Sequence, residues 1–158
     1  MNYKLIIFDV DGTLVTTKSG ETFRKSADDW QWLPGRLEKL KALQEQGIHL
    51  GIASNQGGVA FGYMQARDIQ AELRHMADAI PIHHEMLSIC CQHPQATIDL
   101  YRMDSERRKP KPGMLIELMG FADVAASDTL MVGDREEDLW AAKNAGVTFM
   151  GAAKFFED

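Results

Sequence analysis

Cysteine is nearly missing from this chain: two occur in 158 residues, and they are neighbours, Cys90 and Cys91. Adjacent cysteines cannot close a long loop, so no disulfide framework is available within the chain, and a reducing, cytoplasmic setting is expected. Long hydrophobic runs are absent too. Nothing approaches the roughly 20 apolar residues that a membrane-spanning helix needs, and the first residues carry no signal-peptide core, so no membrane partner is expected. Positive charge is not in excess either: 17 Lys and Arg face 23 Asp and Glu, for a net charge of −6. That balance excludes a protein coating nucleic acid through a broad basic face, though it permits a small positive mouth over one phosphate. Neither a repeat nor a low-complexity tract nor a linker interrupts the chain, so residues 1–158 read as one domain.

What the chain does contain is an alternation of short strand-like runs with helical ones. Lys4–Phe8 reads as the first strand. Leu33-Pro34-Gly35 opens a helix with Leu37, Leu40 and Leu43 on one face, closed by Gly47. Ile48–Ala53 is a second strand, followed by an amphipathic helix over roughly residues 61–79, since Ile69, Leu73, Met76 and Ile80 recur at helical spacing. Met86–Cys90, Thr129–Val132 and Val147–Met150 complete the strands, with helices starting over Met114–Met119 and around Leu139–Asn144. The alternation predicts an α/β three-layer sandwich around a central, mostly parallel sheet. In such sheets ligands sit beyond the carboxyl ends of the strands. Each polar cluster of this sequence falls at such an end.

The first of these clusters is the most telling. In FDVDGTLVTTKSG the run Leu5-Ile6-Ile7-Phe8 delivers two carboxylates, Asp9 and Asp11, side by side at a strand end. Like charges so placed repel each other, which a metal ion or a phosphate ester would relieve. Ser54 and Asn55 end the second strand, Lys109 stands in a basic loop, and Asp134 ends a later strand. Carboxylates with oxygen-rich neighbours suit Mg²⁺ together with a substrate phosphate, and a lysine can hold a phosphoryl oxygen. One carboxylate could then attack phosphorus while the other handles the proton. Gly12 lets the backbone turn away after the pair.

The set Asp9-Val10-Asp11-Gly12-Thr13, Ser54-Asn55, Arg108-Lys109-Pro110 and Gly133-Asp134 with Asp138 resembles the four motifs of the haloacid dehalogenase (HAD) superfamily, in order and across nearly the whole chain. The resemblance implies a Rossmann-like fold and Mg²⁺-dependent phosphate-ester hydrolysis. By it, Asp9 is the nucleophile, Asp11 the general acid/base, Ser54 a phosphoryl ligand and Lys109 the neutralising cation. Asp9, the Val10 carbonyl, Asp134 and Asp138 would hold the metal. Only about 40 residues separate the first two motifs and about 50 the second and third, which leaves an essentially capless enzyme with an open mouth.

Two branches of the superfamily compete for the substrate. Phe8–Gly20 with Phe23 and Asp29-Trp30 resembles the phosphatase domain of polynucleotide kinase 3′-phosphatases. It implies a nucleic-acid 3′ end as the leading substrate, with Thr16, Thr17, Ser19, Asn55 and Arg108 as its binding residues. Trp30 and Trp32 read as packing for that loop. No G-x-x-x-x-G-K-S/T loop is present, so a kinase half is missing. The alternative is a sugar phosphate: Ser54-Asn55-Gln56-Gly57-Gly58 and Arg108-Lys109-Pro110-Lys111-Pro112-Gly113-Met114 resemble the histidinol-phosphate and heptose-bisphosphate phosphatases. Phe61 and Val10 stand where that branch commonly carries arginine, which counts against a bisphosphate. Its zinc loop is also incomplete. Cys91-Gln92-His93 persists, but Ser105-Glu106-Arg107 replaces the second pair, and two soft ligands do not make a tetrahedral zinc site.

Overall fold

The computed structural model describes residues 2–158. Five strands form a parallel sheet in the order β5-β4-β1-β6-β7. These are β1 (Leu5–Phe8), β4 (His49–Asn55), β5 (Leu87–Cys90), β6 (Thr129–Gly133) and β7 (Thr148–Gly151). A separate antiparallel pair, β2 (Val15–Thr16) and β3 (Gln31–Trp32), makes a small flap between β1 and the first helix. Helices α1 (Arg36–Glu45), α2 (Ala66–Ala79), α3 (Gly113–Ala122), α4 (Glu136–Ala145) and α5 (Ala152–Phe156) complete the chain.

The three layers follow from the two-residue period of the strands. β1 lies at the centre, so all four of its side chains are fully buried and its sequence is a continuous apolar run. Ile6 and Phe8 face one core, with Leu40 and Leu43 of α1, Ile69 and Leu73 of α2, and Phe155 of α5. Leu5 and Ile7 face the other, with Met114, Leu115 and Leu118 of α3 and Ala141 and Ala142 of α4. Trp30 and Trp32 pack edge to face at 5.7 Å against the first core, as expected of packing residues.

Several elements differ from the sequence expectation. β4 continues through Ser54 and Asn55, because Asn55 still pairs with Cys90 of β5. The helix expected from residue 61 begins at Ala66, since a turn with Gly62 at φ 76° precedes it. The flap and α5 were not anticipated: strands of two residues and a five-residue helix are too short to show periodicity.

Residues 17–30 link the two flap strands and are held by one carboxylate. Asp29 accepts the Ser19 amide at 2.8 Å, the Ser19 hydroxyl at 2.7 Å and the Lys25 amide at 3.0 Å. These bonds, the Lys25 amide first and the Ser19 hydroxyl next, pull its carboxyl down to about 2. Asp29→Ala is therefore expected to open residues 17–30 to limited proteolysis. The urea midpoint of the main sheet should move little, and an unchanged digestion pattern would show that the loop is held by other contacts.

Candidate active site

Asp9 and Asp11 leave the end of β1, Ser54 and Asn55 end β4, and Asp134 follows β6. Because β4 and β6 are the two neighbours of β1, paired with it in register at Phe8, these groups meet at one edge of the sheet. Gly12 makes the meeting possible. Its φ is 79°, and a Cβ there would lie 2.2 Å from an Asp134 oxygen. Arg36, buried in α1, ties the turn down by donating to the Thr13 carbonyl at 3.0 Å and to Asp158.

Lys109 enters from the loop before α3 and is buried, at 2% exposure. Its ammonium donates to Asp9 Oδ1 at 3.0 Å, the Ala53 carbonyl at 2.8 Å and Asp138 Oδ1 at 2.6 Å. Burial opposes its charge, but Asp9 and Asp138 outweigh it and keep the ammonium above its usual range. Asn55 fixes the backbone of the same residue: its amide donates to the Lys109 carbonyl at 2.8 Å and its carbonyl accepts the Lys109 amide at 3.0 Å. Asn55 thus uses both ends of its side-chain amide on Lys109 while also lining the mouth above.

On the other side of Asp9, Asp11 is held at both oxygens. Oδ1 meets Arg24 Nη1 at 2.5 Å, and Oδ2 accepts Gln56 Nε2 at 3.0 Å. Gln56 Nε2 also donates to Ser54 Oγ at 2.7 Å, so the Ser54 proton is left to give elsewhere. Arg24, Glu72 and Gln56 were missed in the sequence reading. Gln56 adjoins the Ser54-Asn55 motif, but Arg24 and Glu72 lie 48 residues apart and carry no local signal.

Asp9, Asp134 and Asp138 bring carboxylate oxygens within 4.8 Å of one another. Lys109 offsets one of those three charges, and the surplus suits a divalent cation. Loss of water around its carboxyl, and then Asp9, push Asp134 up to about 6. One expected metal ligand needs correction. The Val10 carbonyl accepts the amides of Thr13, Leu14 and Val15 at 3.2, 2.9 and 3.2 Å, so it is turned into the bend and away from a cation. Asp138 belongs to the cluster, but its Oδ2 accepts the Arg135 amide at 3.2 Å, capping α4, while Oδ1 takes Lys109. It therefore also holds the lysine from behind.

Above the site opens a cleft of about 360 Å³, lined among others by Asp11, Arg24, Asn55, Gln56, Arg108 and Arg135. One wall is a row of rings: Phe23 to Tyr63 at 4.9 Å, Tyr63 to Phe61 at 5.9 Å, and Phe61 to His93 at 4.9 Å. Arg108 reaches this cleft as expected, whereas Thr16, Thr17 and Ser19 are not among its lining residues. Thr17 donates to the Glu21 carbonyl at 2.6 Å, Ser19 is bound to Asp29, and Thr16 is exposed in β2. The rest of the basic loop is engaged internally. Arg102 donates to the Ala96 carbonyl and pairs with Asp99, Arg107 binds Glu117, Ser88 and the Ile89 carbonyl, and Lys111 pairs with Asp104 and Glu106. Cys91 is buried, with burial first and Cys90 next pushing its thiol up to about 11, and it joins no metal-binding group among the described residues.

The family model described as polynucleotide kinase 3 phosphatase matches residues 4–156. The chain belongs to that family, within the HAD superfamily of phosphatases. Two D-glycero-beta-D-manno-heptose-1,7-bisphosphate 7-phosphatases are among its relatives. The one from Rhodopseudomonas palustris is 33% identical over 120 residues, covering 74% of this chain and 67% of that protein. The one from Haemophilus ducreyi is 30% identical over 151 residues, covering 93% and 81%. The HAD phosphatase also superposes on the D,D-heptose 1,7-bisphosphate phosphatase of B. bronchiseptica, solved with magnesium and phosphate. There the TM-score is 0.75 with 29% identity, over 98% of this chain and 85% of the other. A HAD-like phosphatase from Mesorhizobium loti gives a TM-score of 0.78 at 25% identity, over 92% and 70%.

The acid cluster makes the metal-free phosphatase pH-sensitive. Asp134 has a folded value of about 6 against an ordinary 3.8, so the folded state holds an extra proton between them. Stability from this group is present at low pH and is lost as pH rises through about 6. Chelated protein should therefore lose thermal stability between pH 5 and pH 7, and Mg²⁺ should raise the melting temperature more at pH 7 than at pH 5. Equal Mg²⁺ shifts at both pH values would place the cation elsewhere.

Proposed function

We propose that this phosphatase hydrolyses phosphate monoesters of small, sugar-like molecules with Mg²⁺, through an aspartyl-phosphate. The observation that carries the reading is the pairing of Asp9 with buried Lys109 on one side and the Asp134 carboxylate on the other, beneath a small cleft. Asp9 and Asp134 would hold Mg²⁺, which supplies positive charge against the phosphoryl oxygens. Among main-chain groups the Asp11 carbonyl is the better candidate ligand, because no backbone amide among the described residues bonds it.

In the first step an Asp9 oxygen attacks phosphorus, the bond from phosphorus to the ester oxygen breaks, and Asp11 gives its proton to that oxygen. In the second, water attacks the aspartyl-phosphate and its proton passes to Asp11. Inorganic phosphate forms, and Asp9 returns as a carboxylate. Lys109 pairs with Asp9 and sets its direction, while Asn55 and Asp138 hold Lys109 in turn. Ser54 has its proton available for a phosphoryl oxygen, and Arg108 faces the cleft to meet the remainder of the substrate.

A sugar phosphate is supported by the names of the relatives, by the size of the cleft and by the internal pairing of the basic loop. The polynucleotide reading draws on the description of the family model and on the motif after Asp11. Phosphate release from heptose 1,7-bisphosphate, a 3′-phosphorylated oligonucleotide and its 5′-phosphorylated twin separates the two. The sugar should be preferred, and strong preference for the 3′ end would overturn the substrate assignment. Asp9→Asn should lower turnover by at least about 10³-fold on every substrate while the thermal transition is kept.

A further inference from the structure

Arg24 is the least expected group near the reaction. It comes from the loop between the flap strands, yet it is 4% exposed and ion-paired on two sides. Nε and Nη2 form a fork onto Oε1 and Oε2 of Glu72, both at 2.7 Å, and Glu72 in α2 is itself 1% exposed. The remaining nitrogen, Nη1, is the one that meets Asp11 Oδ1 at 2.5 Å.

Burying an arginine and a glutamate costs several kcal/mol of hydration per ion, and apolar residues of similar volume would pack as well or better. Anchoring the flap is therefore a weak reason for the pair. What only the pair supplies is a rigid guanidinium, fixed by its fork, with one donor aimed at the carboxyl that must transfer a proton. Gln56 holds the second oxygen of the same carboxyl, so Asp11 is clamped from both sides. With only the flap inserted between β1 and α1, the clamp comes from within the domain itself.

We propose that Arg24 is a positioning residue, held by Glu72, that aims Asp11 at the leaving oxygen of the ester. The proposal rests on Asp11 being the proton donor of the function proposed above. Its signature is dependence on the leaving group. Phenolate is a poor leaving group and needs a proton, whereas p-nitrophenolate departs with little help.

The test measures kcat/KM for phenyl phosphate and p-nitrophenyl phosphate with Mg²⁺ in the full chain, and in Asp11→Asn, Glu72→Gln and the double variant Arg24→Met with Glu72→Met. The double variant removes both charges and so avoids an unpaired buried ion. Asp11→Asn should lower the phenyl to p-nitrophenyl ratio by about 100-fold or more, the scale of general-acid catalysis. The double variant should lower it by about tenfold or more, and Glu72→Gln, which breaks one arm of the fork but keeps the Arg24 guanidinium, should lower it by less than the double variant does. An unchanged ratio in Asp11→Asn would remove the proton role of Asp11, and with it the reading on which the proposal rests. A shifted ratio in Asp11→Asn with an unchanged one in the double variant would overturn the proposal alone.

Discussion

The buried ammonium of Lys109 is the interaction on which the rest of the site depends. One nitrogen joins the end of β1 through Asp9, the end of β4 through the Ala53 carbonyl, and the first turn of α4 through Asp138. A lysine brought into the interior alone loses several kcal/mol of hydration, so it is tolerable only with charges around it. Here two carboxylates supply them, and each is fixed by something else. Asp9 is held by the central strand, and Asp138 by the capping contact to the Arg135 amide. Gly133 belongs to the same arrangement, since a Cβ on it would lie 2.4 Å from an Asp138 oxygen. The lysine thus sets the geometry of Asp9 and makes no hydrogen bond to Asp134. In the proposed function, the charge left over at this pair is what a metal would meet.

Much of this was legible in the sequence, for definite reasons. β1 reads as a strand because both its faces are buried and it needs no polar alternation. The four motifs read as one site because each stands at the end of a strand or in a loop that leads back to one. The Val10 carbonyl was misread because residue type says nothing of where a main-chain oxygen points; the bend that Gly12 permits turns it toward three amides. Thr17 and Ser19 were read as ligands for a substrate because hydroxyls on a loop look available. Asp29 and the Glu21 carbonyl are what engage them, and that pairing appears only once the loop has folded. Arg24 and Glu72 were invisible for the same reason on a longer scale.

The basic loop illustrates how charge in a sequence differs from charge on a surface. Arg102, Arg107 and Lys111 together suggest a track for a phosphate backbone. Each, however, has an acidic neighbour within reach, and Arg107 also braces β5 through the Ile89 carbonyl. Their positive charge is largely neutralised where it stands. What faces the cleft is Arg108 and Arg135, with the rings of Phe23, Phe61, Tyr63 and His93 beside them.

Chemistry and selection are accordingly carried by different parts of the chain. In the function proposed above, the strand ends supply a nucleophile, a proton carrier and a cation site, an arrangement that would serve any phosphate monoester. It is why a family model described by polynucleotides and relatives named for heptose bisphosphates can both align with one sequence. Substrate choice falls to the loops that roof the strand ends. The ring at Phe61 replaces a charge with an apolar face, so a second phosphate would have to be met by Arg108 or Arg135 instead. A short ester with one phosphate, a polar body against two arginines and an apolar face against the rings is the ligand that the proposed function places in this cleft. A nucleic-acid strand leaving the cleft would need cations along its path, and the loop that holds them has already given them to its own carboxylates.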